Sequence, residues 1–243
     1  MKGGTEVAYA TGDFEERYDI RMAAAWTLGH ARRTGTPALP DDVSRRRVDV
    51  CSRDELCMIV AAAHEAGLRL YPFKSDMQVL PRTRKTMGFL RSVPLESLLD
   101  VGSGRGAFLF PFMREFPWVD VWSLDILEHR VTFLEELADG GITHLHPRLG
   151  DVCDQPFADD SFDVVTMLEV LEHIPDVGAA VRASVAMARR HVVVSVPSRP
   201  DDNPEHIHLL TRERLTELFG AAGCDRLRFD GVEGHTFMVA TLG

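Results

Sequence analysis

The spacing of apolar residues changes near residue 94. After it, short apolar runs typical of buried strands alternate with stretches in which apolar residues recur at helical spacing. The predicted strands cover residues 97–101, 119–125, 162–168, 191–196, 226–232 and 236–242, together with one that ends near residue 151. The predicted helices cover residues 107–116, 128–138, 177–190 and 211–223. This alternation predicts an α/β fold with a doubly wound, mostly parallel seven-stranded sheet, in which the closing hairpin adds one antiparallel strand.

The part of the chain before residue 94 lacks this alternation. Apolar residues at near-helical spacing predict a helix over residues 14–33. Ser52 and Glu55 form a capping box, in which each side chain accepts a hydrogen bond from the backbone N–H of the other, and a second helix is predicted to start there. A third predicted helix follows Pro81 and ends near Ser92. The sequence therefore predicts a helical region, 1–94, ahead of an α/β domain, 95–243.

Composition indicates a globular chain without a membrane span. Hydrophobic residues make up 45% of the sequence, which is enough for a full core. No apolar run approaches the roughly 18 residues that a spanning helix needs, and the first ten residues lack the apolar stretch of a secretory signal. The four cysteines form no C-x-x-C pair. We therefore expect a cytoplasmic protein with free thiols and no membrane partner.

Charge is distributed unevenly between the two parts. Residues 1–94 contain 15 Lys and Arg against 12 Asp and Glu, whereas residues 95–243 contain 12 against 25. The first part therefore carries a net charge of +3 and the second part a net charge of −13, which together give the chain's −10. An acidic domain does not attract polyanions through its average field, so we expect no DNA partner.

A glycine-rich turn is the first candidate for ligand binding. The segment Asp100-Val-Gly-Ser-Gly-Arg-Gly106 follows a predicted strand and precedes a predicted helix. Glycines let the backbone turn tightly and approach a ligand, and the helix N-terminus offers unpaired N–H groups. In a doubly wound sheet, ligands bind at the carboxyl ends of the strands, where the winding direction reverses. Taken alone, the glycines fit the cradle of a dinucleotide or a plain turn.

Three aspartates narrow this choice. Asp125 ends the second predicted strand, where a carboxylate can accept hydrogen bonds from ribose hydroxyls. Asp151 ends the third predicted strand, where a carboxylate can accept from an adenine amino group. Asp100 precedes the glycines, where an acid suits a ligand ammonium better than the pyrophosphate of a dinucleotide.

These motifs, together with residues 162–175, resemble class I SAM-dependent methyltransferases over residues 95–243. The resemblance implies that Asp100 and the glycine turn hold the methionine part of S-adenosyl-L-methionine (SAM) and that Asp125 holds the ribose. It also implies that Asp151 and the backbone of Val152 contact the adenine, and that residues 1–94 form a cap over the pocket. The predicted cofactor-binding residues are Asp100, Gly102, Ser103, Gly104, Gly106, Asp125, Ile126, Asp151, Val152 and Glu169.

The catalytic candidates follow the fourth predicted strand. Glu169, Glu172 and His173 project at the rim of the crevice, and His173 is by type suited to act as a general base. His206, on the loop after the fifth strand, is predicted to approach them. His144, His146, His208 and His235 are expected to pack or to lie at the surface instead of binding a ligand.

The predicted activity is transfer of a methyl group from SAM to a hydroxyl or amine of a small-molecule acceptor, without a metal. The Glu-x-x-Glu-His-x-Pro-Asp pattern resembles that of quinone-type and other small-molecule O-methyltransferases. Two alternatives come from other classes. One is a non-catalytic SAM-binding subunit, which the cluster of Glu169, Glu172 and His173 disfavours. The other is a nicotinamide oxidoreductase, which the fit of all four motifs to the methyltransferases disfavours.

A further alternative keeps the reaction and changes the acceptor. The segment also resembles metal-dependent enzymes that methylate the 3′-terminal ribose 2′-hydroxyl of small RNAs, which makes RNA a second candidate partner. That resemblance implies a Mg²⁺ or Mn²⁺ site, for which mixed carboxylate and imidazole ligands are suited. Its ligands would be Glu169, Glu172, His173 and His206. The acidic domain and the absence of aromatic residues beside His206 weaken this alternative.

Overall fold

Seven strands form one sheet in the computed structural model, which describes residues 17–75, 80–200 and 202–243. The strands are β1 (Ser97–Val101), β2 (Asp120–Asp125), β3 (Leu145–Leu149), β4 (Phe162–Leu168), β5 (Ala188–Pro197), β6 (Leu227–Val232) and β7 (His235–Thr241). Their order is β3-β2-β1-β4-β5-β7-β6, and β7 runs antiparallel to both of its neighbours. The neighbouring pairs among β1 to β5 are parallel. The predicted fold class, with one antiparallel strand, is confirmed.

Seven of the α-helices lie where the sequence predicted them, with shifted ends, and the short helix Asp41–Ser44 was not predicted. The α-helices are α1 (Ile20–Thr34), α2 (Asp41–Ser44), α3 (Arg53–Glu65), α4 (Pro81–Leu90), α5 (Leu109–Glu115), α6 (Glu128–Asp139), α7 (Val177–Met187) and α8 (Arg212–Ala221). Side chains cap several of them: the capping box of Ser52 and Glu55 is present at α3, and Thr211 accepts a hydrogen bond from the Arg214 N–H at α8. Such caps satisfy N–H groups that the first helical turn leaves unpaired.

The contacts divide the chain into two units. The first contains residues 17–75 and 133–143, and the second contains residues 80–132, 144–200 and 202–243. Helix α4 is therefore part of the second unit, although the predicted boundary lies after it. The division at residue 94 into a cap and a SAM-binding domain stays a prediction about function. None of the described helices is both long and apolar enough to span a bilayer.

The core of the first unit is helical. Residues Met22 to Gly29 of α1 are buried, and the Trp26 indole N–H donates to the Glu136 carboxylate at 2.7 Å. His30 contacts the other oxygen of Glu136 at 2.8 Å. Phe73 packs against Trp26, with ring centroids 5.8 Å apart. The buried carboxylate thus has two partners from one helix, as a buried charge requires.

In the second unit, the central strands supply the core. Every residue of β4 from Phe162 to Met167 is buried, as are the last four residues of β1. Parallel strands covered by helices on both faces bury side chains of both faces, which explains their continuous apolar runs. The four cysteines carry free thiols.

Two of the shifted helix ends have a clear physical cause. Helix α7 stops at Met187 instead of residue 190, because Ala188 already pairs with Phe162 in the sheet. Helix α5 begins at Leu109 instead of residue 107, which places Pro111 in its first turn, where the missing N–H of proline breaks no helical hydrogen bond. The first predicted helix was placed from residue 14, which lies outside the described residues.

Candidate functional site

A cleft of about 460 Å³ lies at the carboxyl ends of strands β1 to β4. The strand order reverses between β1 and β4, so the cleft occupies the point where open α/β sheets bind ligands. It is lined by eight of the predicted site residues, namely Gly102, Gly104, Asp125, Ile126, Asp151, Val152, Glu169 and His173. Five others, Asp100, Ser103, Gly106, Glu172 and His206, are not among the described residues that line it.

The glycine turn adopts a backbone that other residues rarely accept. Gly102, Gly104 and Gly106 have φ values of +66°, +57° and +79°. A Cβ atom on Gly102 would lie 2.7 Å from the Val170 side chain, and one on Gly106 would lie 2.4 Å from the Phe110 ring. Gly104 has no such neighbour within 3.4 Å. Packing therefore requires glycine at Gly102 and Gly106, whereas at Gly104 only the left-handed φ does. Gly102 and Gly104 both line the cleft, where the missing Cβ lets a ligand approach the backbone.

Asp100 lies beneath this turn and is only 3% exposed. Its carboxylate accepts a hydrogen bond from the Thr166 hydroxyl of β4 at 2.7 Å. Burial raises the pKa of Asp100 to about 6, hydrogen bonds from Ser103 and Thr166 lower it in part, and the charge of Asp125 raises it. The predicted contact of Asp100 with the methionine part of SAM stays a prediction, and a direct contact would require the turn to expose the carboxylate.

Ser103 ties the turn to the neighbouring strand. Its hydroxyl lies 2.7 Å from the hydroxyl of Ser123 on β2. Ser123 is 1% exposed and pairs with Asp100 in the parallel register of β1 and β2. The hydroxyl of Ser103 therefore fixes the turn from below, while the backbone of its neighbours faces the cleft.

Asp125 and Asp151 stand at the ends of β2 and β3. Asp125 accepts a hydrogen bond from the Leu127 N–H at 2.9 Å, and its carbonyl accepts from the Gly150 N–H at 3.0 Å. Asp151 accepts from the Cys153 N–H at 2.8 Å. The backbone N–H groups of these turns therefore fix both carboxylates at the rim of the cleft. There the carboxylates can accept further hydrogen bonds from the hydroxyls and the amino group of a nucleoside.

Apolar side chains flank these two acids. Ile126 is 65% exposed, and Leu127 is 46% exposed. Ile126, Leu127 and Val152 all line the cleft. Apolar side chains beside a few fixed polar groups are typical of a pocket that binds a small molecule.

Glu169 follows β4 and has a φ of +61°, in the left-handed region that few residues other than glycine adopt. Its Oε1 accepts from the Ser195 hydroxyl at 2.8 Å, and its Oε2 lies 2.7 Å from His235 Nε2. Sequence analysis gave His235 no role in the site. Because β7 is antiparallel, its first residue lies at the edge where the parallel strands end, and the predicted hairpin was the signal that could have revealed this.

His173 has the hydrogen bonding that a base requires. Its Nδ1 lies 2.9 Å from the carbonyl oxygen of Glu205. A carbonyl only accepts, so Nδ1 carries a proton, and in the neutral ring the lone pair is on Nε2. His173 also lies beside His206, with ring centroids 4.8 Å apart. The predicted approach of the loop after β5 is therefore present.

Three of the four predicted metal ligands lie together. One potential ligand atom from each of Glu172, His173 and His206 lies within 4.8 Å of the others. Glu169 is instead held by Ser195 and His235. A carboxylate with two imidazoles is a donor set that fits a divalent transition metal. The four-residue set is thus reduced to three, and a bound metal stays a hypothesis.

Comparison with protein families gives one extended match. A family model described as "Methyltransferase domain" matches residues 73–228, which is more than half of the chain. The match includes α4 and extends into β6, and so contains every residue of the cleft named above.

Two curated relatives and one solved structure show the range of similarity. Over 101 residues, the chain is 40% identical to nocamycin O-methyltransferase of Saccharothrix syringae, covering 41% of this chain and 36% of that protein. Over 83 residues, it is 31% identical to ribosomal RNA small subunit methyltransferase G of Streptococcus uberis, covering 32% and 35%. The chain thus spans about a third of the length of these relatives. A SAM-dependent methyltransferase from Aquifex aeolicus has the same fold, with a TM-score of 0.54, 19% identity and coverage of 67% and 89%.

Proposed function

Because the chain belongs to the SAM-dependent methyltransferases of class I fold, we propose that it transfers the methyl group of SAM to a hydroxyl or amine of a small molecule. One arrangement supports this function most. His173, with the hydrogen bonding of a base, lines the same cleft as the two rim acids that suit a nucleoside. A base and a cofactor site in one cleft are what methyl transfer to a hydroxyl requires.

The residues present fit SAM. Gly102 and Gly104 expose backbone that has no Cβ, and a ligand chain can approach it closely. Asp125 at the rim would accept from the ribose hydroxyls, and Asp151 with the Val152 backbone would contact the adenine. The exposed side chain of Ile126 would cover one face of the base. SAM supplies an electrophilic methyl group on a sulfonium.

His173 would manage the proton of the acceptor. Its Nδ1–H donates to the Glu205 carbonyl, which fixes the ring, and its Nε2 lone pair would accept the proton that the acceptor hydroxyl or ammonium loses. A lone pair of the acceptor oxygen or nitrogen would form the bond to the methyl group while the bond between the methyl carbon and sulfur breaks. General-base assistance of this kind contributes about 100-fold or more.

Two observations favour a small acceptor. The second part of the chain carries a net charge of −13, which disfavours a polyanion. Over 101 residues the chain is 40% identical to nocamycin O-methyltransferase, whose name is that of a small-molecule O-methyltransferase.

The test follows a methyl label. Methyl-labelled SAM is incubated with the protein and with separate pools of metabolites, RNA and protein, and label is expected in the metabolites. His173→Ala should lower turnover about 100-fold or more while the Kd for SAM stays the same. His146→Gln is the matched control. His146 is not among the residues that line the cleft, and its Nε2 lies 3.2 Å from the carboxylate of the exposed Asp120. Label in RNA or protein alone, or full turnover of His173→Ala, would overturn the proposal.

The cluster of Glu172, His173 and His206 favours one second candidate, a divalent-metal-dependent RNA 2′-O-methyltransferase. Similarity to a ribosomal RNA methyltransferase over 83 residues also points to RNA. In this candidate the three residues would hold the ion, which would lower the pKa of a coordinated hydroxyl. Label in RNA that EDTA abolishes and Mn²⁺ restores would establish it, and label in metabolites that survives EDTA would exclude it.

A further inference from the structure

The start of β7 brings a histidine to the end of β4. His235 is the first residue of β7 and pairs in register with Pro197, the last residue of β5. Glu169 directly follows β4, and its backbone N–H donates to the Ser195 carbonyl of β5 at 2.8 Å. The reversal of β7 therefore places an imidazole and a carboxylate from distant parts of the sequence side by side.

The hydrogen bonds define the protonation of this pair. His235 Nε2 lies 2.7 Å from Glu169 Oε2, and His235 Nδ1 lies 2.7 Å from the carbonyl oxygen of Glu233. The Glu233 carbonyl only accepts, so Nδ1 donates to it. When Glu169 is ionised, Nε2 donates to its carboxylate as well, and the pair is then an imidazolium and a carboxylate. The Ser195 hydroxyl donates to the other carboxylate oxygen. Each oxygen of Glu169 is thus fixed by one donor and keeps a further lone pair.

Burial makes this pair stronger than a surface ion pair. The side chains of Glu169 and His235 are 19% and 21% exposed, and Ser195 is fully buried. In such surroundings, the attraction between charges is less screened than in water. The left-handed backbone of Glu169 is unfavourable for a residue with a Cβ, and a residue keeps such a conformation only where its surroundings hold it. The carboxylate is therefore locked at the wall of the cleft.

We propose that His235 is a positioning residue for the acceptor: it fixes Glu169 so that the carboxylate accepts a hydrogen bond from the hydroxyl or amine to be methylated. This inference rests on the proposed function and selects acceptors that donate a hydrogen bond beside the reacting atom. Because the imidazolium neutralises the carboxylate, the pair contributes little attraction for the cationic SAM. His235 therefore acts on the acceptor and not on the cofactor.

Steady-state kinetics of variants tests the inference. His235→Ala should lower kcat/KM for the acceptor by 10-fold or more and leave the Kd for SAM within twofold. His235→Gln should recover most of the loss, because its amide N–H can replace the donor to Oε2. His146→Gln changes a histidine that also contacts an aspartate, outside the cleft, and should behave as the unchanged protein.

A double-mutant cycle separates positioning from general stability. In a Glu169→Gln background, adding His235→Ala should change kcat/KM less than twofold, because the partner through which it acts is already altered. Additive losses, unchanged kcat/KM in His235→Ala, or a loss in His235→Gln as large as in His235→Ala would each overturn the inference.

The unchanged protein separates this inference from the proposed function. If it methylates no small molecule, the proposed function fails, and ¹⁵N resonances of the His235 ring then decide the pair by themselves. Two protonated ring nitrogens that become one in Glu169→Gln support the pair, and a neutral ring in the unchanged protein overturns it. If small molecules are methylated and His235→Ala is unaffected, the inference alone fails.

Discussion

Asp163 and Asp100 are two buried aspartates on neighbouring strands, and they differ in almost everything except exposure. Each is 3% exposed, and β1 and β4, which carry them, pair in parallel. Asp163 lies near the start of β4, whereas Asp100 lies near the end of β1. One carboxylate therefore belongs to the amino edge of the sheet and the other to the edge that forms the cleft.

At the amino edge, the charge is fully compensated. Asp163 accepts hydrogen bonds from the backbone N–H groups of Glu96 and Ser97 at 2.9 and 3.2 Å, and from Arg189 and Arg190 at 2.8 and 3.2 Å. Burial alone would raise the pKa of Asp163, but these donors outweigh it and the pKa lies below its ordinary value. The carboxylate joins three segments of chain and stabilises the fold.

At the cleft edge, the charge lacks this compensation. Burial raises the pKa of Asp100 to about 6, because the hydroxyl hydrogen bonds that it receives offset the loss of water only in part. No guanidinium or ammonium contacts its carboxylate among the described residues. Two equally buried carboxylates can therefore have different roles. One whose charge is compensated by donors stabilises the protein, and one whose charge is compensated only in part is suited to a cationic ligand.

The largest expected effect is on Asp163. Asp163→Asn should lower the free energy of unfolding at pH 7 by about 2–3 kcal/mol, since the amide loses the charge that faces two arginines and several donors. Because its folded pKa is depressed, this contribution is present above the ordinary pKa and is lost as pH falls through the folded value. Urea unfolding measures it. Glu115→Gln, which breaks an exposed pair with Arg91, is the control and should cost less than about 1 kcal/mol.

An intermediate effect is expected for Asp100→Asn, with the opposite sign for stability. Below pH 4 the change should matter little. Between the ordinary pKa of 3.8 and the folded pKa of about 6, the native carboxyl keeps its proton while the unfolded one ionises, so stability falls as pH rises. The amide removes this loss, and at pH 8 the ligand-free variant should have a higher Tm than the unchanged protein.

The SAM affinity of Asp100→Asn should be about 10-fold weaker by calorimetry. Equal SAM affinity would remove Asp100 from the cofactor site.

The smallest effect sharpens the comparison further. If ionised Asp100 attracts the ammonium of SAM, SAM affinity should rise with pH through a midpoint near 6. Thr166→Val removes the hydroxyl that donates to Asp100 at 2.7 Å, so the carboxylate should ionise less readily and the midpoint should shift upward by less than about one pH unit. A midpoint that stays unchanged would show that the hydroxyl does not control this charge. The Asp163→Asn variant should keep the midpoint of the unchanged protein.

Most of the fold could be predicted from local pattern. The alternation of apolar runs and helical spacing is repeated often enough to predict the sheet, and β4 was placed at its observed ends, residues 162–168. The end of α7 could not be predicted in the same way. Residues 188–190 suit a helix by local pattern, but pairing of Ala188 with Phe162 and the contacts of both arginines with Asp163 extend β5 instead.

The site likewise contains residues that local pattern predicts and residues that depend on pairing between distant strands. The glycine turn, Asp125 and Asp151 follow strands directly, so their common edge could be predicted from topology. His235 was not identified in this way, because its place depends on the register of an antiparallel strand, which the predicted hairpin only indicates. Glu169 was predicted as a catalytic and cofactor-binding residue, and as a metal ligand only in the RNA alternative, and its contact with His235 was not expected. The hydrogen bond of Asp100 was equally hard to predict, since its donor, Thr166, lies on a strand 66 residues later.

The reversal of β7 also sets an order of completion during synthesis. A ribosome makes the glycine turn, Asp125 and Asp151 well before it makes His235. The parallel strands that carry the earlier residues can pair as they emerge, whereas β7 must first emerge and then fold back against β5. In the growing chain, the wall shared by Glu169 and His235 is therefore the last part of the cleft to be completed.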